Sequence, residues 1–298
     1  MREDQNQPEV SVILTAYNEE MLIRRSVNSI LGQTFEDFEL LLIDDGSTDR
    51  TWEIIQDFKD PRIRRKQLDR VGRSRALNWG LNLARGKYVA LMDADDESLS
   101  ERLENQVAFL DSNPTISILG TTYYRYDARR NERYVRSFPS NDREIRHSMA
   151  LYIPICNGSV MYRKAVVEKV GGYNENIDDL EDLDLWLRAA SHFQFANLGP
   201  PPLHIYWFDP KHSYFETSHG SYRRVWRGLK LNGRAIRQFQ LPAYYYALLG
   251  AKLLYYAILP NRLKRIARNL VSGGIELPVG SQYPGRERPV HGEMAKLG

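Results

Sequence analysis

Asp93-Ala94-Asp95-Asp96 puts three carboxylates into one short turn, directly after the apolar run Tyr88-Val89-Ala90-Leu91-Met92. Carboxylates that close repel and raise one another's pKa unless a cation joins them. Hard oxygen ligands of this kind suit Mg2+ or Mn2+, whose remaining coordination positions would go to diphosphate oxygens and water. A solvated acidic turn capping the next helix is the competing reading. A second cluster, Asp44-Asp45-Gly46-Ser47-Thr48-Asp49, follows the apolar run Phe38-Glu39-Leu40-Leu41-Leu42-Ile43. A carboxylate there can accept from a base N–H or a ribose hydroxyl. Thr15 and Tyr17, after Val10-Ser11-Val12-Ile13-Leu14, offer a hydroxyl and a ring on which a nucleobase can stack. Each cluster alone is equally a turn; together, at the ends of three apolar runs, they favour a shared ligand.

The elements that would position these residues follow from the pattern. The three runs are short and apolar, as buried parallel strands are. Helical spacing of Leu22, Ile23, Val27, Ile30 and Leu31 ends at Gly32, a second helix is expected over 48–58, and a third over 74–84 stops at Gly86. Strands alternating with helices predict a doubly wound, Rossmann-like, mostly parallel α/β sheet, in which ligands gather outside the carboxyl ends of the strands. Further on, helices are expected at 99–110, 163–170 and 182–191, a strand at Ile116–Gly120, and a hairpin or extended ribbon within 121–136. Leu183, Leu185, Trp186 and Leu187 suit the buried face of the helix at 182–191.

The chain of 298 residues can bury a full-sized core. Its balance of +3 is too small for a general polyanion binder, so nucleic acid is not an expected partner. The lone Cys156 cannot form an intramolecular disulfide and sits in an apolar stretch, so it is read as a small core residue in a cytoplasmic protein and given no catalytic role.

On these residues the sequence resembles family 2 glycosyltransferases of the GT-A fold. The resemblance is carried by Val10 to Glu19, by Gln33-Thr34-Phe35 with Glu39 to Asp49, by Arg75-Ala76-Leu77-Asn78-Trp79-Gly80-Leu81, by Gly86 to Ala90, and by Asp93 to Asp96. It continues through Asn157-Gly158-Ser159, Gly171-Gly172-Tyr173 and Glu181 to Arg188. It implies an enzyme, a hexosyltransferase that inverts the anomeric carbon of a nucleoside-diphosphate sugar, with UDP preferred over GDP and dTDP. The resemblance further assigns Thr15, Tyr17, Glu19, Asp45, Asn78 and Asp93 to the donor pocket, and Asp95 to Mn2+ or Mg2+. Asp182 becomes the general base with Glu181 beside it, and Gly158 and Ser159 fall near the acceptor, a glycan or lipid-linked molecule. His212 is the nearest counterpart of a metal- or phosphate-facing histidine, although Trp207 stands where an arginine is expected; His204 ranks below His212.

The implied domains are a catalytic region over 8–215, with a donor half at 8–113 and an acceptor half at 114–215, followed by a helical extension over 216–298. From Pro242 to Leu259 that extension is aromatic and aliphatic apart from Lys252, with Arg262, Lys264, Arg265 and Arg268 after it. A spanning helix needs about 20 apolar residues, so two readings stand: a helix in the membrane surface on the inner face of the plasma membrane, or one packed on protein. The Gly- and Pro-rich tail after Val271 is expected to be mobile. A nucleotidyltransferase would bring a Gly-rich, basic loop after the first strand, and Thr15-Ala16-Tyr17-Asn18-Glu19 has no glycine. An inactive partner of a glycan-synthesis complex is the non-enzymatic alternative.

Overall fold

The computed structural model describes residues 7–127, 132–177, 179–208, 222–258 and 275–279. In chain order, β1 (Val10–Ala16), α1 (Ile23–Leu31), β2 (Phe38–Asp44), α2 (Thr51–Asp57), β3 (Ile63–Gln67), α3 (Arg73–Leu83) and β4 (Tyr88–Asp93) form the first part. The short β5 (Glu97–Ser98), α4 (Arg102–Ser112), β6 (Ile116–Thr121), β7 (Tyr123–Asp127), β8 (Glu132–Ser137) and α5 (Asp142–Ser148) follow. Next come β9 (Met161–Arg163), α6 (Ala165–Val170), α7 (Glu181–Ala189), β10 (Gln194–Leu198) and β11 (His204–Phe208). The last elements are α8 (Tyr222–Gln238), α9 (Tyr244–Ile258) and β12 (Ile275–Val279).

The central sheet has the order β10-β6-β9-β4-β1-β2-β3, parallel except where β9 runs antiparallel between β4 and β6. β1 and β2 are buried at every position because helices cover both faces of the sheet, which is why their sequences are continuous apolar runs. One core cluster lies on each face, one around Ile13, Leu41, Val89 and Trp186, the other around Leu14, Leu40, Ala90 and Leu103. A second sheet, β12-β8-β7-β11-β5, packs beside the first, and β7 with β8 forms the ribbon expected within 121–136. Leu231, Ala235 and Ile236 of α8 enter the first core cluster, so the extension is built onto the catalytic core. The expected boundary at residue 215 lies outside the described residues. Ile275–Val279 pair antiparallel with Glu132–Ser137 at the edge of the second sheet, and the rest of the tail after Val271 lies outside the described residues.

Candidate active site

In the β1–β4 register Thr15 lies level with Asp93, and in β1–β2 Ala16 lies level with Asp44. The parallel strands thus bring Thr15, Asp45 and the Asp93–Asp96 turn to one edge of the sheet. Asp45 is buried, and its carboxylate accepts from Arg70 Nη1 (2.6 Å), the Val71 N–H (2.7 Å) and the Gly72 N–H (3.0 Å). Gly72 has φ +93°, a conformation L side chains rarely adopt, and it turns its N–H onto Asp45. The Arg70 guanidinium lies 3.4 Å from the centroid of the Tyr17 ring, so it covers the face on which a base would stack. Glu19 donates its backbone N–H to Thr51 Oγ1 (2.7 Å), joining the β1 loop to the start of α2.

The acidic turn is held from several sides. Asp93 Oδ1 accepts from Arg73 Nη2 (2.6 Å), and Arg73 Nε donates to Glu181 Oε1 (2.8 Å). This arginine therefore joins the strand end to the acidic start of α7. Asp96 accepts the Trp207 N–H (3.2 Å) and faces His204 Nε2 (2.9 Å), both of β11. Burial, with the Arg102 charge, depresses His204 to about 3, so the ring is neutral where it shares a hydrogen bond with Asp96. Burial and the Asp93 charge push Asp96 well above the carboxylate range. Asp95 is raised to about 7 by burial and by the charges of Asp96 and Asp93.

Beneath the turn lies Arg102, fully buried, donating to Leu91 O (2.7 Å), Gly158 O (3.3 Å) and Gln106 Oε1 (3.0 Å). Burial lowers it only to about 10, so it keeps its charge under the carboxylates. A Cβ on Gly158 would fall 2.6 Å from Asp93 Oδ2 and 3.2 Å from Asp96 Oδ2, so only glycine lets this loop pass the acidic turn. Ser159 is buried and accepts from Thr121 Oγ1 (2.8 Å), which makes it scaffold rather than acceptor contact. Burial pushes the Cys156 thiol up to about 12, in keeping with an unreactive side chain.

At α7, Leu180 precedes the acid pair with φ 59°, a left-handed conformation that is strained for leucine. Asp182 is raised to about 7 by burial and by the Glu181 charge, against the Leu183 N–H that its Oδ1 accepts at 2.7 Å. The Asn78 amide donates to Tyr173 O (2.9 Å) and Glu175 Oε1 (3.0 Å) and accepts from Tyr173 N–H (2.8 Å), which ties α3 to the loop before α7. His212 lies outside the described residues.

Among the described residues no group of three His, Cys, Asp or Glu side chains converges as a ready metal site. The turn nonetheless fits a hard cation. Asp93 is held by Arg73 and Asp96 by His204. Asp95 keeps an oxygen donor with raised proton affinity beside two other carboxylates. Carboxylate oxygens are the donor type that suits a hard divalent ion.

The fold and these strand-end carboxylates define the GT-A architecture, and solved structures share it. S. aureus TarS residues 1–349 in complex with UDP superposes with a TM-score of 0.59 at 20% identity, over 87% of this chain and 75% of that one. The mannosyltransferase PcManGT of Pyrobaculum calidifontis, in complex with GDP-Man and Mn2+, superposes with a TM-score of 0.56 at 21% identity, over 89% and 80%. The sequence profile of glycosyl transferase family 2 matches residues 11–171, and the chain belongs to that family. It is a glycosyltransferase. Among its relatives are the putative glycosyltransferase EpsE of Bacillus subtilis, 36% identical over 61% of this chain and 66% of that protein. Another is the UDP-Glc:alpha-D-GlcNAc-diphosphoundecaprenol beta-1,3-glucosyltransferase WfaP of Escherichia coli, 31% identical over 61% and 70%. The matched stretch thus spans about two thirds of these relatives' length.

Sequence reasoning did not reach Arg70, Arg73, Arg102 or the His204–Asp96 pair. Arg73 opens α3 and Arg102 opens α4, and several of their partners lie far along the chain.

Proposed function

We propose that the chain transfers a sugar from a nucleoside-diphosphate sugar, UDP-linked by preference, with inversion at the anomeric carbon. The acceptor is a hydroxyl of a glycan or lipid-linked molecule in the assembly of cell-surface polysaccharide or glycolipid. The observation that carries the reading is Arg73, which joins Asp93 on the donor side to Glu181 beside Asp182. In this reading one site holds both a phosphate-facing carboxylate turn and a base-bearing helix. The names of WfaP and of the TarS and PcManGT complexes support a nucleotide-sugar donor, a diphospholipid-linked acceptor and Mn2+.

In this reading Thr15, Tyr17, Glu19 and Asp45 hold the nucleoside, and Arg70 leaves the Tyr17 ring as the base arrives. Asp95 would hold Mn2+ or Mg2+, which supplies positive charge to the leaving diphosphate. Asp182, poised at about 7, takes the proton of the acceptor hydroxyl while that oxygen attacks the anomeric carbon and the bond to the diphosphate breaks. Glu181, pinned by Arg73, orients Asp182.

The test is a panel of UDP-, GDP- and dTDP-sugars with Mn2+ or Mg2+, scored for released nucleoside diphosphate with and without EDTA. The expected result is metal-dependent release from one donor, lost in Asp95→Ala and Asp182→Ala. Full activity in EDTA, or in either variant, overturns the assignment.

A further inference from the structure

The α8–α9 hairpin carries surface chemistry that sugar transfer does not use. Among the described side chains of α9, Tyr245 and Leu249 pack against the core, and Lys252 turns inward to Leu151 O and Asn232 Oδ1 (3.0 Å). The single charge of α9 is thereby removed from its outer side. That side shows Tyr244, Tyr246, Leu248, Leu253 and Leu254, which are 38–59% exposed. Contiguous exposure of large apolar side chains marks an interaction surface.

The adjoining α8 has six basic residues, Arg223, Arg224, Arg227, Lys230, Arg234 and Arg237, and no acidic one. Arg227 pairs with Asp179 just before α7, and Arg234 lies 3.6 Å from Asp184 within it. Arg223, Trp226, Lys230 and Arg237 are exposed and recur at the spacing of one helix face. Lys230 Nζ stands 5.7 Å from the centroid of the Trp226 ring.

We propose that this hairpin docks the enzyme on an anionic lipid bilayer, with the tyrosine- and leucine-bearing side of α9 in the interface and the exposed cations of α8 on the headgroups. The described helix of 15 residues is about 22 Å long, short of the roughly 30 Å hydrocarbon core, so it lies along the surface. Tyrosine and tryptophan favour the headgroup level, where an apolar ring and a polar tip are both satisfied. Apolar area and a basic flank together supply the two contributions that stable peripheral binding takes. A second copy is the poorer occupant, because a two-fold contact would set cationic α8 faces against each other. The proposal stands apart from the donor chemistry.

The experiment is co-sedimentation of the full chain with vesicles of phosphatidylcholine alone and of phosphatidylcholine with phosphatidylglycerol, at low and high salt, beside light scattering of the free protein. Binding to anionic vesicles should exceed binding to neutral ones at least tenfold and weaken with salt. Lys230→Glu with Arg237→Glu should lower it by about tenfold or more. Leu248→Ser with Leu254→Ser should remove what remains. All four positions are exposed, so circular dichroism and nucleoside diphosphate release in solution should match the parent and show that the variants fold. Equal binding to both vesicle types, no binding, or a dimer that the leucine variant dissolves would overturn the proposal.

Discussion

Raising the pH from 5 to 8 should increase turnover about a hundredfold, and the increase should follow one group. With Asp182 at about 7, its ionised fraction is about 1% at pH 5, about 9% at pH 6 and about 91% at pH 8. A carboxyl at the ordinary value of 3.8 would already be about 94% ionised at pH 5, leaving the profile flat. Asp95 also stands at about 7, but a saturating divalent ion holds it ionised, so the logarithmic slope should be one with excess metal and steeper when metal is scarce. The assay is kcat/KM for release of nucleoside diphosphate across this range. The same environment makes a stability statement. Because the folded pKa lies above 3.8, the associated stability is complete below that value and is lost as pH rises through about 7. Asp182→Asn should therefore be inactive, yet melt higher than the parent at pH 8, by roughly 2–4 °C per kcal/mol relieved, with a smaller difference at pH 5. A flat profile between pH 5.5 and 8, or a midpoint near 4, would refute the assignment of Asp182 as the base.

Other perturbations follow from the same geometry. Arg73→Met leaves Asp93 and Glu181 without their shared cation. With Arg73 40% exposed, about 1–3 kcal/mol of stability is expected to go, read by urea unfolding, and activity should fall further than stability alone explains. Gly158→Ala drives a methyl against Asp93, so metal-dependent turnover should drop at least tenfold while circular dichroism stays unchanged. Glu39 is buried and accepts from Ser11 Oγ (2.7 Å), Arg64 Nη1 (2.7 Å) and the Arg85 N–H (2.8 Å). Burial opposes its ionisation, but these bonds outweigh it and lower its pKa, so its stability contribution is present above about 4.5 and lost as pH falls. Glu39→Gln should cost about 2–4 kcal/mol at pH 7, with a smaller cost at pH 4, measured by denaturant titration.

The strand ends were legible because a parallel strand covered on both faces must be apolar throughout, so its polar exit stands out in the chain. β3 was not: Ile63-Arg64-Arg65-Lys66-Gln67 is an edge strand, and charge there protects an open edge. The contact of Asn78 with Tyr173 reaches across 95 positions, beyond what helix spacing can show. The Arg73–Glu181 and His204–Asp96 contacts each span 108 positions, so no local pattern announces them. Lys252 looked like an interruption of an apolar segment. A helix turns successive residues by about 100°, and that rotation lets one lysine face inward without breaking the outer surface.

The antiparallel β9 has a consequence for biosynthesis. β3, β2, β1 and β4 all lie within the first 93 residues, and each new strand can pair as it leaves the ribosome. The free edge of β4 waits for Met161–Arg163, 68 residues later (161 − 93), because β9 alone fills the place between β4 and β6. At roughly 5–20 residues per second that edge stays open for about 3–14 s. The nascent enzyme must pass through this interval with its most apolar strands one hydrogen-bonded partner short, which makes it a natural client for whatever shields nascent chains.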